Sequence, residues 1–308
     1  MLANQICQKF LDATYGQELA ELEMASPIFD RDEPEEKPKN RYLILSTPRS
    51  GSYWLCRQLW HAGLGLPFEY LNSFHMRRFT KRWKADLGEA RPGNNQPRYW
   101  EEQISRIGAK LGFSNATKKQ PDIHSYLEIT EKKRSMNGWM GLKAQPIHLK
   151  ELDICFESIF QNWAIIPLLR RDQRRQLASY LFARVSGAYD LGLITSTTGD
   201  SLSRLNEPSL IHHMAELLAS QNKAILQIAR SRNLQPLWME DLLGLDSDIL
   251  QERIVSYLPG AELGEHLFTA LTRRQDPFFK LKQAMIEEIS MSIPADAALA
   301  LEQSLNPD

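Results

Sequence analysis

The segment RYLILSTPRSGSYWLCRQLWHAGLG, residues 41–65, determines the fold that we predict for this chain. It begins with a compact apolar run, passes through the turn-forming PRSGS, and continues with apolar residues at helical spacing before ending in glycines. This pattern is typical of a buried strand, a tight loop and a helix. Such a loop points backbone N–H groups outward at the positive end of the helix dipole. The segment therefore predicts an anion site after the first strand of an α/β fold.

The rest of the chain repeats the alternation of strand and helix. Strand character returns at residues 139–145 and 162–170, with the helical run LKELDICFESIF between them. A helix from about residue 172, a long helix over about 208–232, a short strand in LQPLWME and a helical tail follow. The pattern predicts an α/β domain over 41–308, with a central parallel sheet and helices on both faces.

Two regions lie outside this alternation. Residues 73–135 are rich in Arg, Lys, Trp and Tyr and contain no obvious buried strand, so we interpret them as a mostly helical insertion over the site. Residues 1–40 read as an N-terminal helix followed by an acidic, proline-bearing linker.

Composition excludes several classes of protein. The 308 residues carry 37 basic and 38 acidic side chains, for a net charge of −1, so no overall field would attract nucleic acid or an anionic membrane. No apolar run approaches the roughly 18 residues of a spanning helix, and the N-terminus lacks a leader pattern. Three dispersed cysteines favour a reducing compartment, and the seven histidines show no metal-ligand spacing. We expect a cytoplasmic protein without an integral membrane segment or a bound metal.

The loop after the first strand has the chemistry of an anion site. Arg49 offers a charged fork for phosphate or sulfate oxygens, and Ser50 and Ser52 add hydroxyl donors. Gly51 lets the backbone approach a ligand closely. An N-capping turn with an exposed arginine is the alternative interpretation. The segment lacks the first glycine and the Lys-Ser/Thr pair of the G-x-x-x-x-G-K-[ST] nucleotide loop, which makes a kinase the weaker hypothesis.

A second basic cluster follows the strand IIPLL. Arg170, Arg171 and Ser179 belong to a run of Arg, Gln and Ser that leads into a helix. Positive charge at the start of a helix opposes the helix dipole, so an anion or solvent must offset it. A second anion site and a solvated basic face both remain open at this point.

These elements together resemble sulfotransferases that use 3′-phosphoadenosine 5′-phosphosulfate (PAPS), and more closely the bacterial trehalose 2-sulfotransferase family. The resemblance rests on STPRSGSYWL at 46–55, GLPFEY at 65–70, GLKAQ at 141–145, RRDQRRQLASY at 170–180, and WMEDL with RRQD near the C-terminus. It implies a P-loop-like sulfotransferase fold in which PAPS is the co-substrate. Residues 1–40 lie outside the resemblance.

The resemblance assigns the donor-binding residues. The 5′-phosphosulfate would lie against Arg49, Ser50, Gly51, Ser52 and Tyr53.

The 3′-phosphate would bind Ser179 and one of two adjacent arginines. A nine-residue spacing, as in the closer relatives, selects Arg170, whereas the eight-residue spacing of the wider superfamily selects Arg171. Arg274 would belong to a segment that closes over the nucleotide; an exposed helix end is the alternative there.

The resemblance also assigns the catalytic residues. Glu69 matches the general base, which would deprotonate an acceptor hydroxyl that is too weakly acidic to attack unaided. Lys143 would stabilise charge on the leaving oxygen, and Gln145 would contact the acceptor. A surface carboxylate at Glu69 and a strand-end lysine that extends to solvent are the alternatives. An acidic residue that the family often carries before the proline is Leu66 here, so acceptor contacts would differ from those for trehalose.

The sequence therefore predicts a sulfotransferase that moves a sulfuryl group from PAPS to a hydroxyl of a carbohydrate-like acceptor. The acceptor would be a small molecule or a glycolipid, and the sequence is compatible with a homo-oligomer. Two alternatives remain, a nucleotide-dependent kinase and a non-catalytic protein that binds nucleotides or sulfated ligands.

Overall fold

A computed structural model describes residues 27–31, 37–84, 122–186, 205, 207–243, 245–261 and 277–305. Four of the sequence predictions fall wholly or partly outside these ranges. They are the helix before residue 27, residues 32–36 of the acidic linker, the middle of the predicted insertion, and Arg274.

Four strands form one all-parallel sheet in the order β2-β1-β3-β4. The strands are β1 (Asn40–Ser46), β2 (Trp139–Ala144), β3 (Ala164–Leu169) and β4 (Leu237–Trp238). The predicted α/β fold with a central parallel sheet is confirmed. Because β1 pairs with both β2 and β3, the carboxyl ends of three strands lie next to one another. The loop after β1 is therefore at the centre of that edge.

Helices connect and flank the strands. They are α1 (Ser52–His61), α2 (Ser73–Trp83), α3 (Ile123–Arg134), α4 (Pro146–Glu151), α5 (Phe156–Phe160), α6 (Gln173–Ser186), α7 (Pro208–Ser231), α8 (Met239–Leu242), α9 (Ser247–Val255), α10 (Pro277–Ser292) and α11 (Ala295–Ser304). None of these described helices is long and apolar enough to cross a membrane.

The described residues form two hydrophobic clusters in the core. The larger contains the strands together with α1 and the segment 64–71, and the second lies among α6, α7, α10 and α11. In the first, Tyr42 of β1 is fully buried and its hydroxyl donates to the carbonyl of Leu64 at 2.8 Å. A side chain at position 141 would collide with the Tyr42 ring. Only glycine at this position therefore lets β2 pack so closely against β1. This packing fixes β2 and the segment after α1 against β1.

The single helical run predicted over 149–160 is two short helices in the structure. Helix α4 begins earlier, at Pro146, a residue suited to the first helical turn. It ends at Glu151 with Leu152 as its C-cap, and Asp153 then adopts a left-handed conformation with φ of 53°. Asp tolerates this conformation better than most residues, which explains why the chain turns there before α5 begins.

Asp30 joins the N-terminal part of the described chain to α2 and α3. Its carboxylate accepts from the indole Nε1 of Trp83 at 2.9 Å and pairs with Arg82 Nε at 2.7 Å and Arg134 Nη2 at 2.5 Å. The Arg134 side chain is fully buried. A buried guanidinium needs a counter-charge, so Asp30 is an integral part of the packing between these helices.

Candidate active site

The loop between β1 and α1 has a conformation suited to an anion. Gly51 occupies the N-cap of α1 with φ of 84°, and Arg49 also lies in the left-handed region with φ of 61°. A Cβ atom at Gly51 would come within 2.6 Å of Met239 Sδ. Both the positive φ and the contact with Met239 explain why this position carries glycine.

Two serine hydroxyls of the loop region are buried. Ser46 and Ser50 are fully buried, and within the described part of the chain neither Oγ atom has a hydrogen-bond partner. A buried hydroxyl without a partner is costly. These groups, together with the N-terminus of α1, fit the oxygen atoms of a phosphate or sulfate group, so the residues present are suited to a phosphosulfate ligand.

The two basic elements predicted from the sequence meet in the structure. Arg49 Nε donates to Ser179 Oγ on α6 at 3.1 Å. Arg170, just after β3, donates from Nη1 to the carbonyl oxygen of Arg49 at 3.3 Å. The predicted 5′ and 3′ subsites therefore lie next to each other at the carboxyl edge of the sheet.

Arg170 and Arg171 point in different directions. Arg170 lies against the anion loop and also pairs with Glu240 at 3.4 Å. Arg171 binds both carboxylate oxygens of Asp241, lies 4.9 Å from the Trp238 ring centroid, and leaves half of its side chain exposed. The hydrogen bond from Arg171 stabilises the ionised carboxylate of Asp241 and holds its pKa below the usual range. Of the two arginines, Arg170 therefore contacts the loop.

Glu69 and Lys143 form a buried ion pair. Lys143 Nζ lies 2.6 Å from Glu69 Oε1, and both side chains are less than 10% exposed. The Lys143 backbone N–H donates to the carbonyl of Phe68 at 3.0 Å, which holds residue 69 beside the end of β2. Neither side chain extends to the surface, in contrast to the two alternative interpretations of the sequence.

Two amides complete the surroundings of the Glu69 carboxylate. Gln145 Nε2 donates to Oε1 at 3.2 Å, and Asn72 Nδ2 donates to Oε2 at 3.3 Å. Lys143 Nζ also lies 3.7 Å from the ring centroid of Tyr53, the second residue of α1. The Tyr53 ring thus lies between the Glu69–Lys143 ion pair and the anion loop.

The charge states of Glu69 and His148 follow from this environment. Burial alone would raise the pKa of Glu69, but the charge and the hydrogen bond of Lys143, joined at low pH by the charge of protonated His148, outweigh it and lower the pKa from 4.5 to about 2. Burial lowers the pKa of His148 from 6.5 to about 4. At neutral pH, Glu69 is therefore a carboxylate and His148 a neutral imidazole.

Sequence reasoning missed several residues that the structure brings to the site. Asn72 is the N-cap of α2, His148 forms a capping box at the start of α4 with Gln145, which the sequence had predicted, and Met239 lies against Gly51. An Asn before a helix and a Gln-Pro helix start are visible in the sequence, but they indicate helix ends only. No local pattern connects them with Glu69. Across the described ranges, no group of three His, Cys, Asp or Glu residues is arranged to hold a metal ion.

An all-parallel α/β sheet with a loop suited to an anion after its first strand, and a carboxylate–lysine pair beside that loop, is consistent with a sulfotransferase fold. The family model described as Stf0 sulphotransferase matches residues 41–115. The match includes β1, the anion loop, α1 and Glu69, and it confirms the resemblance that the sequence motifs indicated. It supports an enzyme of that family that transfers sulfate. The comparison with curated proteins gives no match.

Proposed function

We propose that this protein transfers a sulfuryl group from PAPS to a hydroxyl of a carbohydrate-like acceptor. The observation that carries the proposal is the position of two sites at one edge of the sheet. The Arg49–Ser179 contact joins the two basic elements, and the Glu69–Lys143 pair lies next to them across the Tyr53 ring. The family match supports sulfate transfer, and this arrangement supports the donor and the base.

The donor would bind along the anion loop. Bound PAPS supplies an activated sulfuryl group whose leaving group is a phosphate. Backbone N–H groups at the start of α1, with Ser50, Ser52 and Arg49, would bind the oxygens of the phosphosulfate. Arg170 and Ser179 would bind the 3′-phosphate, because Arg170 faces the loop whereas Arg171 is paired with Asp241.

Glu69 and Lys143 would carry out the chemistry. Glu69 accepts the proton of the acceptor hydroxyl while the bond from that oxygen to sulfur forms and the bond from sulfur to the phosphate oxygen breaks. Lys143 stabilises the negative charge that develops on the departing oxygen. When Lys143 shifts toward that charge, Glu69 loses part of its counter-charge and becomes a stronger base. The buried ion pair thus couples the departure of the phosphate leaving group to proton transfer.

The polar groups around Glu69 suit an acceptor with several hydroxyls. Asn72 and Gln145 each bind the carboxylate through one N–H; each amide oxygen accepts one hydrogen bond within a helix cap and has a second lone pair for a ligand hydroxyl. The side chain of Leu66 is buried in the core and packs against apolar neighbours, so this position offers no carboxylate to an acceptor. We therefore propose a small-molecule or glycolipid acceptor whose contacts differ from those for trehalose, sulfated in the cytoplasm as the dispersed cysteines suggest.

Ligand-induced stabilisation tests the proposed donor. Adenosine 3′,5′-bisphosphate is expected to raise the melting temperature, because a ligand that binds only the folded state stabilises it by about 2.7 kcal/mol at a hundredfold excess over Kd. ATP is expected to shift it much less. Differential scanning fluorimetry with matched concentrations of the two nucleotides measures both. Equal shifts would count against the 3′-phosphate subsite and would favour a kinase.

The choice between the two arginines is tested by calorimetric titration. Arg170→Ala and Ser179→Ala are expected to weaken binding of adenosine 3′,5′-bisphosphate about tenfold or more, since each loses a hydrogen bond to a charged group. Binding of a nucleotide without the 3′-phosphate is expected to weaken less, because it loses only the support that Arg170 and Ser179 give to Arg49. Arg171→Ala serves as the matched control and is expected to have a small effect. A larger loss for Arg171→Ala than for Arg170→Ala would select the eight-residue spacing instead.

A further inference from the structure

Three buried amide side chains form a chain of hydrogen bonds that ends on the anion loop. Gln176 Nε2 donates to the Pro48 carbonyl at 2.6 Å and to Thr47 Oγ1 at 2.8 Å. Gln176 Oε1 accepts from Gln173 Nε2 at 3.2 Å, and Gln173 Oε1 accepts from Asn222 Nδ2 at 2.7 Å. Each of the three amides is at most 1% exposed.

The direction of this amide chain is fixed at both ends. The Pro48 carbonyl can only accept, so Gln176 must present its nitrogen to the loop and its oxygen to Gln173. At the other end, Asn222 Nδ2 donates to Ser304 Oγ at 3.1 Å, while the Ser304 hydroxyl itself donates to the Leu301 carbonyl. If any one amide were rotated by 180°, two donors or two acceptors would face each other in the protein interior, which is costly. The amide chain therefore has one orientation.

The anion loop needs the support of this amide chain next to Pro48, the residue that Gln176 contacts. Arg49 follows Pro48 directly and has φ of 61°, a conformation that is unfavourable for a residue with a Cβ atom. Such a conformation persists only where surrounding contacts hold it. Gln176 fixes the peptide group that precedes Arg49, and Arg170 binds the carbonyl that follows.

We infer that Gln176, Gln173 and Asn222 are positioning residues that hold the anion loop in its donor-binding shape. The inference rests on the proposed function, since it assigns the loop to the donor. It extends that site to α7 and α11, because Asn222 lies on α7 and Ser304 at the end of α11. A network that served only to satisfy buried polar groups would affect stability and leave donor affinity unchanged.

Calorimetric titration with adenosine 3′,5′-bisphosphate tests the inference. Gln176→Met is expected to raise the Kd about tenfold or more, since it removes two hydrogen bonds to the loop. Asn222→Leu, which does not touch the loop, is expected to raise the Kd severalfold. The double variant is expected to lose less affinity than the sum of the two single losses, because Asn222 acts through Gln173, which binds both Gln176 and the Arg170 carbonyl. Additive losses in the double variant would overturn the inference.

Gln221→Met is the matched control. Gln221 is the neighbour of Asn222 on α7 and is similarly buried, but its side-chain nitrogen donates back to Leu217 of the same helix at 3.4 Å. We expect lower stability without a change in Kd. An equal change in Kd for Gln221→Met and Asn222→Leu would show that the effect of Asn222 is merely structural and would overturn the inference. This comparison tests the inference even if Gln176→Met does not fold.

A second measurement separates this inference from the proposed function. Amide hydrogen exchange of residues 47–52 without any ligand is expected to be faster in Asn222→Leu than in Gln221→Met, because loosening of the loop exposes its N–H groups. If the unaltered protein failed to bind the bisphosphate, the proposed donor would be wrong, and exchange would still report on the amide chain. Identical exchange in the two variants would overturn the inference.

Discussion

Replacement of Glu69 by Gln is expected to lower the rate of sulfuryl transfer by about a hundredfold or more. Glutamine keeps the size of the side chain and one acceptor oxygen, but it cannot take a proton from the acceptor hydroxyl. The affinity for adenosine 3′,5′-bisphosphate is expected to stay within a few fold, since that ligand lacks the sulfuryl group. Single-turnover transfer at saturating acceptor, together with calorimetric binding of the bisphosphate, separates chemistry from affinity.

Glu131→Gln provides the matched control for this variant. Glu131 on α3 pairs with Arg41 at 2.7 Å and its side chain is 12% exposed, so it is also a largely buried carboxylate paired with a cation, but its partner lies at the amino end of β1. Its substitution is expected to lower stability and leave turnover unchanged.

Because the pKa of Glu69 is held at about 2, the unaltered enzyme is expected to show no loss of activity from Glu69 protonation above about pH 4. Near-normal turnover in Glu69→Gln would remove Glu69 as the base.

Replacement of Asp30 by Asn is expected to cost on the order of 3–5 kcal/mol in the free energy of unfolding. The change is isosteric, but it leaves the buried guanidinium of Arg134 and that of Arg82 without the carboxylate that both bind. A typical domain has only about 5–15 kcal/mol of stability, so the variant would lose a large part of it. Urea denaturation followed by circular dichroism measures the difference.

Glu157→Gln is the control for the Asp30 variant. Glu157 pairs with Arg232 at 2.6 Å, but its own side chain is 59% exposed. An exposed ion pair contributes about 0–1 kcal/mol, so this substitution is expected to change stability little. Comparable losses for the two variants would mean that Asp30 acts no differently from a surface carboxylate. The segment around Asp30 would then not be an integral part of the packing of α2 and α3.

The strands and the anion loop could be predicted from the sequence. The four strands lie within or close to the apolar runs at 41–47, 139–145, 162–170 and 234–240. Their parallel arrangement follows from the helices between them, and the loop follows from the turn residues of PRSGS. The break between α4 and α5 was missed, because a left-handed Asp153 leaves no mark in the apolar spacing.

Local pattern thus determined the elements of this protein, because strand, loop and helix each depend on residues that are neighbours in the chain. Tertiary structure alone decided which charges meet. Glu69 and Lys143 are 74 positions apart, yet they form one buried pair, since β2 and the segment after α1 both pack beside β1. The same holds for Arg170 and Arg171, which the sequence could not distinguish. Adjacent side chains leave the chain in different directions, and the Asp241 carboxylate that binds Arg171 lies 70 residues away. Electrostatic and hydrogen-bonding energies depend on distance in space, so the site became visible only in the folded chain.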